Sequence, residues 1–253
     1  MINEYYRPKD LDEAYRLLSR KTPSTRPLGG GTQLSRDHSA EPVAVVDLQA
    51  LGLDDIVRTG EQLRVGATTT LQAFYQSDTV PEMWQEIARR EAALNKRNAA
   101  TAAGTLASGD GRSWWANAML AVDARLVWLP GEIEQAFGDW LPLRNQSPAA
   151  GLLISRIVLP LNVQLFYGSV ERTPASPPEL VVMMARWPSG RSRVVLGGYA
   201  AHPIMILDGP DAAGAEQIIQ NACSQLSNID ISYSQSISKT LIHRLIQQSE
   251  ANQ

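Results

Sequence analysis

The chain has almost no cysteine: among 253 residues there is one, Cys223. That excludes an intrachain disulfide. It also excludes an iron–sulfur cluster held by this chain's thiolates alone, which takes about four, and a zinc site built on cysteine pairs. So few thiols fit a reducing, cytoplasmic setting. An excess of one charge is missing too. Lys and Arg number 23 against 26 Asp and Glu, so neither a basic field for nucleic acid nor an acidic tail is expected. No run approaches the ~18 consecutive apolar residues that a membrane span takes. The opening MINEYYRPKD lacks the apolar region of a signal peptide. His38, His202 and His243 are scattered, none four residues from another, so a helical zinc pair is absent. There is no G-x-S-x-G elbow and no Walker pattern. No residue stands out as acid, base or nucleophile.

What the chain does have is apolar material, 44% of its residues, in patterns that change along its length. Up to about Pro160 the pattern alternates. A helix is expected over Asp10–Arg20, a strand over Thr25–Leu28 and a buried strand over Val43–Leu48. A hairpin turns at Thr59-Gly60, and helices follow at Leu71–Gln76, Glu82–Leu94 and Trp114–Val122. Strands are expected at Ala124–Leu129 and Leu152–Leu159. Asn95–Arg112 reads as a loop rich in small residues, and Phe137–Ala150 as irregular. Beyond Pro160, strands come consecutively at Val163–Val170, Leu180–Trp187, Arg191–Tyr199 and Pro203–Leu207. Two closing helices occupy Ala212–Leu226 and Ser234–Gln248. Strand runs followed by helix runs indicate an α+β fold in two parts.

Two small-residue segments draw attention. Leu28-Gly29-Gly30-Gly31-Thr32-Gln33-Leu34 follows a strand, and a helix is expected to begin within Thr32–Arg36. Glycines permit close backbone approach, and free amides favour an anion such as a diphosphate. The plain alternative is a tight turn between elements. Asn98–Asp110 contains Thr101-Ala102-Ala103-Gly104-Thr105, where a planar ligand has room against the backbone. The plain alternative there is a surface loop. Two such segments in one half of the chain suggest a split dinucleotide cradle.

These residues resemble a known family. Gly29–Leu34 is similar to the (A/G)-G-G-T-x-L phosphate loop of the FAD-binding middle subunit of molybdenum hydroxylases, the family of the carbon monoxide dehydrogenase and xanthine dehydrogenase flavoproteins. Val45–Leu48 resembles its V-D-L strand, and Leu63–Leu71 its L-x-I-G-A-x-T-T-L segment. Arg97–Ala107 resembles R-N-x-A-T-I-G-G-N-L-A, and Leu120–Ala124 resembles L-A-L-D-A. Val195–Tyr199 with Pro203 resembles the hairpin of its C-terminal domain. Ser232-Tyr233 and Leu241–Leu245 resemble its closing helix. The resemblance implies a two-lobed FAD domain over 1–160 and a small antiparallel-sheet and helix domain over 161–253. It implies FAD, with its diphosphate on Leu28–Leu34 and on Thr101–Thr105. It implies two partner chains, an iron–sulfur subunit and a large molybdopterin-binding subunit, with electrons passing through FAD to an external acceptor.

The sequence departs from the family pattern near the expected cofactor. Ala103 and Thr105 stand where T-I-G-G-N has a glycine and an amide side chain. After Asp110, the second acid of D-P-x-x-D is replaced by Trp114. Two readings of Trp114 follow: packing with Trp115 in a core or at a subunit contact, or stacking on, or occupying, the flavin position. A flavin-free relative serving as a structural or assembly subunit is the second reading of the whole chain.

Overall fold

A computed structural model describes residues 2–23, 25–34, 42–144, 151–173, 176–210, 215–226 and 231–251. The chain forms two compact units. The first comprises residues 1–108 and 125–159, and the second 109–124 and 160–253. The segment 109–124 therefore belongs with the later residues in the second unit.

The first unit opens with β1 (Ile2–Tyr6), α1 (Leu11–Leu18), β2 (Thr25–Leu28) and β3 (Val43–Asp47). β3 lies between β1 and β2, parallel to both. Asp10 caps α1 by accepting from the Glu13 amide at 2.8 Å, and Glu13 accepts from the Lys9 amide at 3.0 Å. This reciprocal pair fixes the helix start. Ala14, Leu17 and Leu18 then share one face and bury it with Val46, Leu48 and Leu153, as the helical spacing demands.

The same unit continues with β4 (Ile56–Thr59), β5 (Gln62–Gly66), α2 (Leu71–Gln76), α3 (Glu82–Glu91), α4 (Leu94–Arg97) and α5 (Ala102–Ser108). The second unit contributes α6 (Trp114–Ala121). The chain then returns to the first unit with β6 (Arg125–Leu129), β7 (Ile133–Ala136), α7 (Phe137–Trp140) and β8 (Leu153–Pro160). Five strands form a sheet in the order β4-β5-β8-β6-β7. Gly60 takes a φ of 57° in the β4–β5 turn, the left-handed conformation that such a hairpin favours.

The second unit has the antiparallel sheet β12-β11-β10-β9. It is built from β9 (Gln164–Val170), β10 (Leu180–Arg186), β11 (Ser192–Gly198) and β12 (Ile204–Gly209). Helices α8 (Ala215–Cys223) and α9 (Ile231–Ala251) follow. Ile242 and Leu245 of α9 are buried with Leu180, Val182 and Leu196 of the sheet. Every residue of α6 is buried, Asn117 among them, so this helix sits inside the second unit.

The α+β expectation holds, with local corrections. Residues 95–97, expected as loop, belong to helix α4. Residues 102–108, expected as loop, form α5, which Thr101 caps by accepting from the Gly104 amide at 3.2 Å. Its sequence gives little helical signal because every residue but Leu106 is small. Within Phe137–Ala150, expected as irregular, residues 137–140 form α7. Ser35–Arg36, where the glycine loop was expected to enter a helix, lie outside the described residues, as do 145–150.

Candidate functional site

The two small-residue segments meet. A Cβ placed on Gly30 would lie 1.5 Å from the Ala99 carbonyl oxygen, and one on Gly29 would lie 2.6 Å from Thr101 Oγ1. Only glycines allow this approach. Gly31 follows with a φ of 69°, which turns the chain away from β2. Gly29, Gly30, Gly31, Thr32 and Leu34 are half-buried and Gln33 is exposed. Leu28 ends β2, and its carbonyl accepts from the Leu48 amide at 2.9 Å.

The amides of the two segments are used differently. In the second segment the four amides of residues 102–105 have internal acceptors. Ala102 donates to Thr69 O at 2.8 Å and Ala103 to Ala67 O at 3.1 Å, while Thr105 donates to Thr101 O at 2.9 Å. Gly104 donates to the Thr101 hydroxyl. The Thr105 hydroxyl also turns inward, to Thr101 O at 2.8 Å. In the first segment, no acceptor among the described residues faces the amides of Gly30, Gly31 and Thr32. Three neighbouring amides with no acceptor among the described residues form a surface suited to an anion. The first segment therefore supplies donors, and the second supplies a wall.

A cavity of about 520 Å³ adjoins this junction. Gly29, Thr101, Ala103 and Gly104 form one side. Trp128 of β6 and Trp140 of α7 form another, with their rings 5.7 Å apart at 62°. Arg144 is the one charged residue among the described lining, and no acid is among them. Its Nη1 donates to Leu106 O at 3.0 Å. Among the lining residues, Thr68 Oγ1 and Trp128 Nε1 are buried with no hydrogen-bond partner among the described residues. Such atoms are uncommon and call for an explanation. Trp128, Trp140 and Arg144 did not emerge from the sequence.

Asp110 and Trp114 belong to the second unit. Asp110 accepts from Arg112 through Nε at 3.1 Å and Nη2 at 2.5 Å. This contact is the main reason that the Arg112 guanidinium is held above its usual pKa. The Arg112 guanidinium also lies 4.7 Å from the centre of the Tyr199 ring. Trp114 is 2% exposed and meets Tyr167 edge-on, with ring centres 5.3 Å apart. That is the packing of a core residue. Cys223 is buried, and burial raises its thiol pKa. That thiol is no nucleophile. Among the described residues no group of His, Cys, Asp and Glu is placed to hold a metal, and no helix is long and apolar enough to cross a membrane.

Comparison with known proteins agrees with this geometry. The family described as the FAD-binding domain in molybdopterin dehydrogenase matches residues 1–162. The Escherichia coli K12 protein YgfM is 28% identical over 133 residues, covering 52% of this chain and 51% of its own length. The carbon monoxide dehydrogenase medium chain of Afipia carboxidovorans is 37% identical over 79 residues, covering 30% of this chain and 27% of its own. In these alignments the chain spans about half the length of the curated relatives it matches, or less. Among solved structures, a chain of reconstituted CO dehydrogenase from Oligotropha carboxidovorans superposes with a TM-score of 0.81 at 22% identity, over 98% of this chain and 97% of that one.

Proposed function

The chain belongs to the family of FAD-binding domains in molybdopterin dehydrogenase, and on that premise we propose that it is the flavoprotein subunit of a molybdenum hydroxylase-type oxidoreductase. Its partners are an iron–sulfur subunit and a molybdopterin-binding large subunit. Electrons from the partner's clusters reach an external acceptor through FAD. The cofactor supplies the redox chemistry, and this chain supplies its binding, placement and surroundings. Residues 1–160 are read as the FAD-binding domain, and 161–253 as a C-terminal domain of the carbon monoxide dehydrogenase flavoprotein type.

The observation that carries this reading is the junction at Gly29–Thr32. Gly30 sits where no Cβ fits and Gly29 lies against Thr101, the amides of Gly30, Gly31 and Thr32 have no acceptor among the described residues, and the cavity begins beside Gly29. In the proposed complex the diphosphate of FAD takes the amides of Gly30, Gly31 and Thr32. Leu28, Gln33 and Leu34 frame that loop. Thr101–Thr105 wall the other side, with the Ala103 methyl in place of an open approach.

The test is a visible absorption spectrum of the purified chain before and after FAD is added, with released flavin assayed after denaturation. Saturable binding near one equivalent is the expected result. A colourless chain that ignores FAD, alone and with its partner chains, overturns the reading in favour of a structural subunit.

A further inference from the structure

The second segment meets the cavity with one side of a short helix. Ala103 and Ala107 of α5, one turn apart, line it together with Gly104, as a single helical face requires. Leu106 is fully buried behind them and takes no part in the described wall. The donors of residues 102–105 are spent inside the fold. Their four amides go to Thr69 O, Ala67 O, the Thr101 hydroxyl and Thr101 O, and the Thr105 hydroxyl goes to Thr101 O as well. Redirecting any of them to a ligand breaks a bond the fold already has. This face therefore offers contact alone, and contact depends on how closely a ligand can approach. Gly104 is exposed and lets a ligand rest on the main chain. Beside it, Ala103 puts a methyl group on the same wall, at the place where the T-I-G-G-N pattern has a glycine. The methyl stands a ligand off the first turn of α5, and no polar contact from residues 102–105 makes up for the lost approach.

We propose that Ala103 limits how tightly this chain holds FAD, so that removing its methyl group strengthens cofactor binding. This rests on the FAD reading above. Truncating a wall residue ordinarily removes contacts and weakens a ligand. Here the truncation opens the main chain of residues 103–104 as one continuous surface, and the cofactor settles onto it. The same change destabilises the empty chain, because glycine is a poorer helix former than alanine. The two effects have opposite signs, and a general loosening of the fold does not produce that combination.

The experiment titrates FAD into the full chain and into its Ala103→Gly, Ala103→Val and Leu106→Val variants, following flavin fluorescence. Thermal unfolding of each protein without FAD is the second readout. Ala103→Gly is expected to bind FAD about tenfold more tightly, the low end of what one methyl group decides in a pocket, while unfolding at a lower temperature than the parent. Ala103→Val is expected to weaken FAD by about tenfold or more. Leu106→Val lies behind the wall, so it is expected to lower the unfolding temperature and leave FAD affinity unchanged. If the Gly variant binds FAD no more tightly than the parent, or the Val variant at 103 no more weakly, the inference falls and the FAD reading stands. If Leu106→Val tightens FAD as much as Ala103→Gly does, the gain comes from a loosened helix and the inference also falls. If neither the parent nor any variant binds FAD, alone or with the partner chains, both fall.

Discussion

Gly30 and Ala99 touch backbone to backbone: the position of a Gly30 Cβ is 1.5 Å from the Ala99 carbonyl oxygen. No rotamer adjustment relieves such an overlap, because the obstacle is main chain. Gly30→Ala must push the glycine loop and the Ala99–Thr101 segment apart. Overpacking of this kind costs about 1–3 kcal/mol. It also moves the three amides proposed to meet the diphosphate. Flavin content after equilibration with FAD should fall at least tenfold, and the denaturation midpoint should drop. Unaltered FAD occupancy would place the diphosphate elsewhere.

Thr101 serves three neighbours at once. Its hydroxyl accepts from the Gly104 amide, its carbonyl accepts from both the amide and the hydroxyl of Thr105, and its side chain fills the space opposite Gly29. Thr101→Val keeps the volume and removes the cap. The expected loss is about 1 kcal/mol, within the 0.5–2 range for lost N-caps. Thr101→Ser keeps the oxygen and should recover most of it. Urea denaturation of the three proteins measures this directly. Equal stability of the Val and Ser variants would show that the cap contributes nothing.

The glycine loop was legible because the requirement is local: a strand, three glycines and a threonine in eight residues. The strands of the second unit were legible because Pro188-Ser189-Gly190 and Gly197-Gly198 punctuate long apolar runs. Helix α5 was not, since residues 102–108 carry no apolar stripe and are held by Thr101 and by acceptors at Ala67 and Thr69. The cavity wall was not legible either. Trp128 on β6, Trp140 on α7 and Arg144 come together only through the β6–β7 pairing, and in sequence each reads as an ordinary core or surface residue. The packing of Gly109–Ala124 with the second unit also escaped the linear reading. A helix buried on every side shows no face that would reveal its neighbours.

Trp114 is fixed by its surroundings. At 2% exposure and edge-on to Tyr167, it fills a volume that no smaller residue matches. Trp114→Ala should destabilise the chain by about 3–5 kcal/mol, the usual range for emptying a buried aromatic site. Trp114→Phe should cost far less. Thermal unfolding of the two variants checks the difference. An Ala variant within 1 kcal/mol of the parent, on the order of surface changes, would mean that the ring is not core material.

Asp208 joins Arg193 of β11 and Arg191, which directly precedes that strand. It accepts from Arg191 Nε at 2.7 Å and from Arg193 Nη2 at 2.6 Å, while Asp123 accepts from the same two side chains at 2.9 and 3.0 Å. Asp123 holds a φ of 59° in doing so. The hydrogen bond from Arg191, aided by Arg193 and opposed by partial burial, lowers the Asp208 pKa to about 2 from an ordinary 3.8. A depressed carboxylate stabilises the fold above its unfolded pKa and loses that contribution as the pH falls through its folded pKa. The window is therefore about pH 4 down to about pH 2. With solvent screening, the contribution is on the order of 1–2 kcal/mol. Asp208→Asn should remove it at neutral pH and flatten the acid limb of the stability curve, and Arg193, 7% exposed, keeps Asp123 and the Leu120 carbonyl. Chemical denaturation of parent and variant at pH 7, 4 and 2.5 reads both effects. Parallel curves for the two proteins across that window would show that Asp208 carries no acid-linked stability.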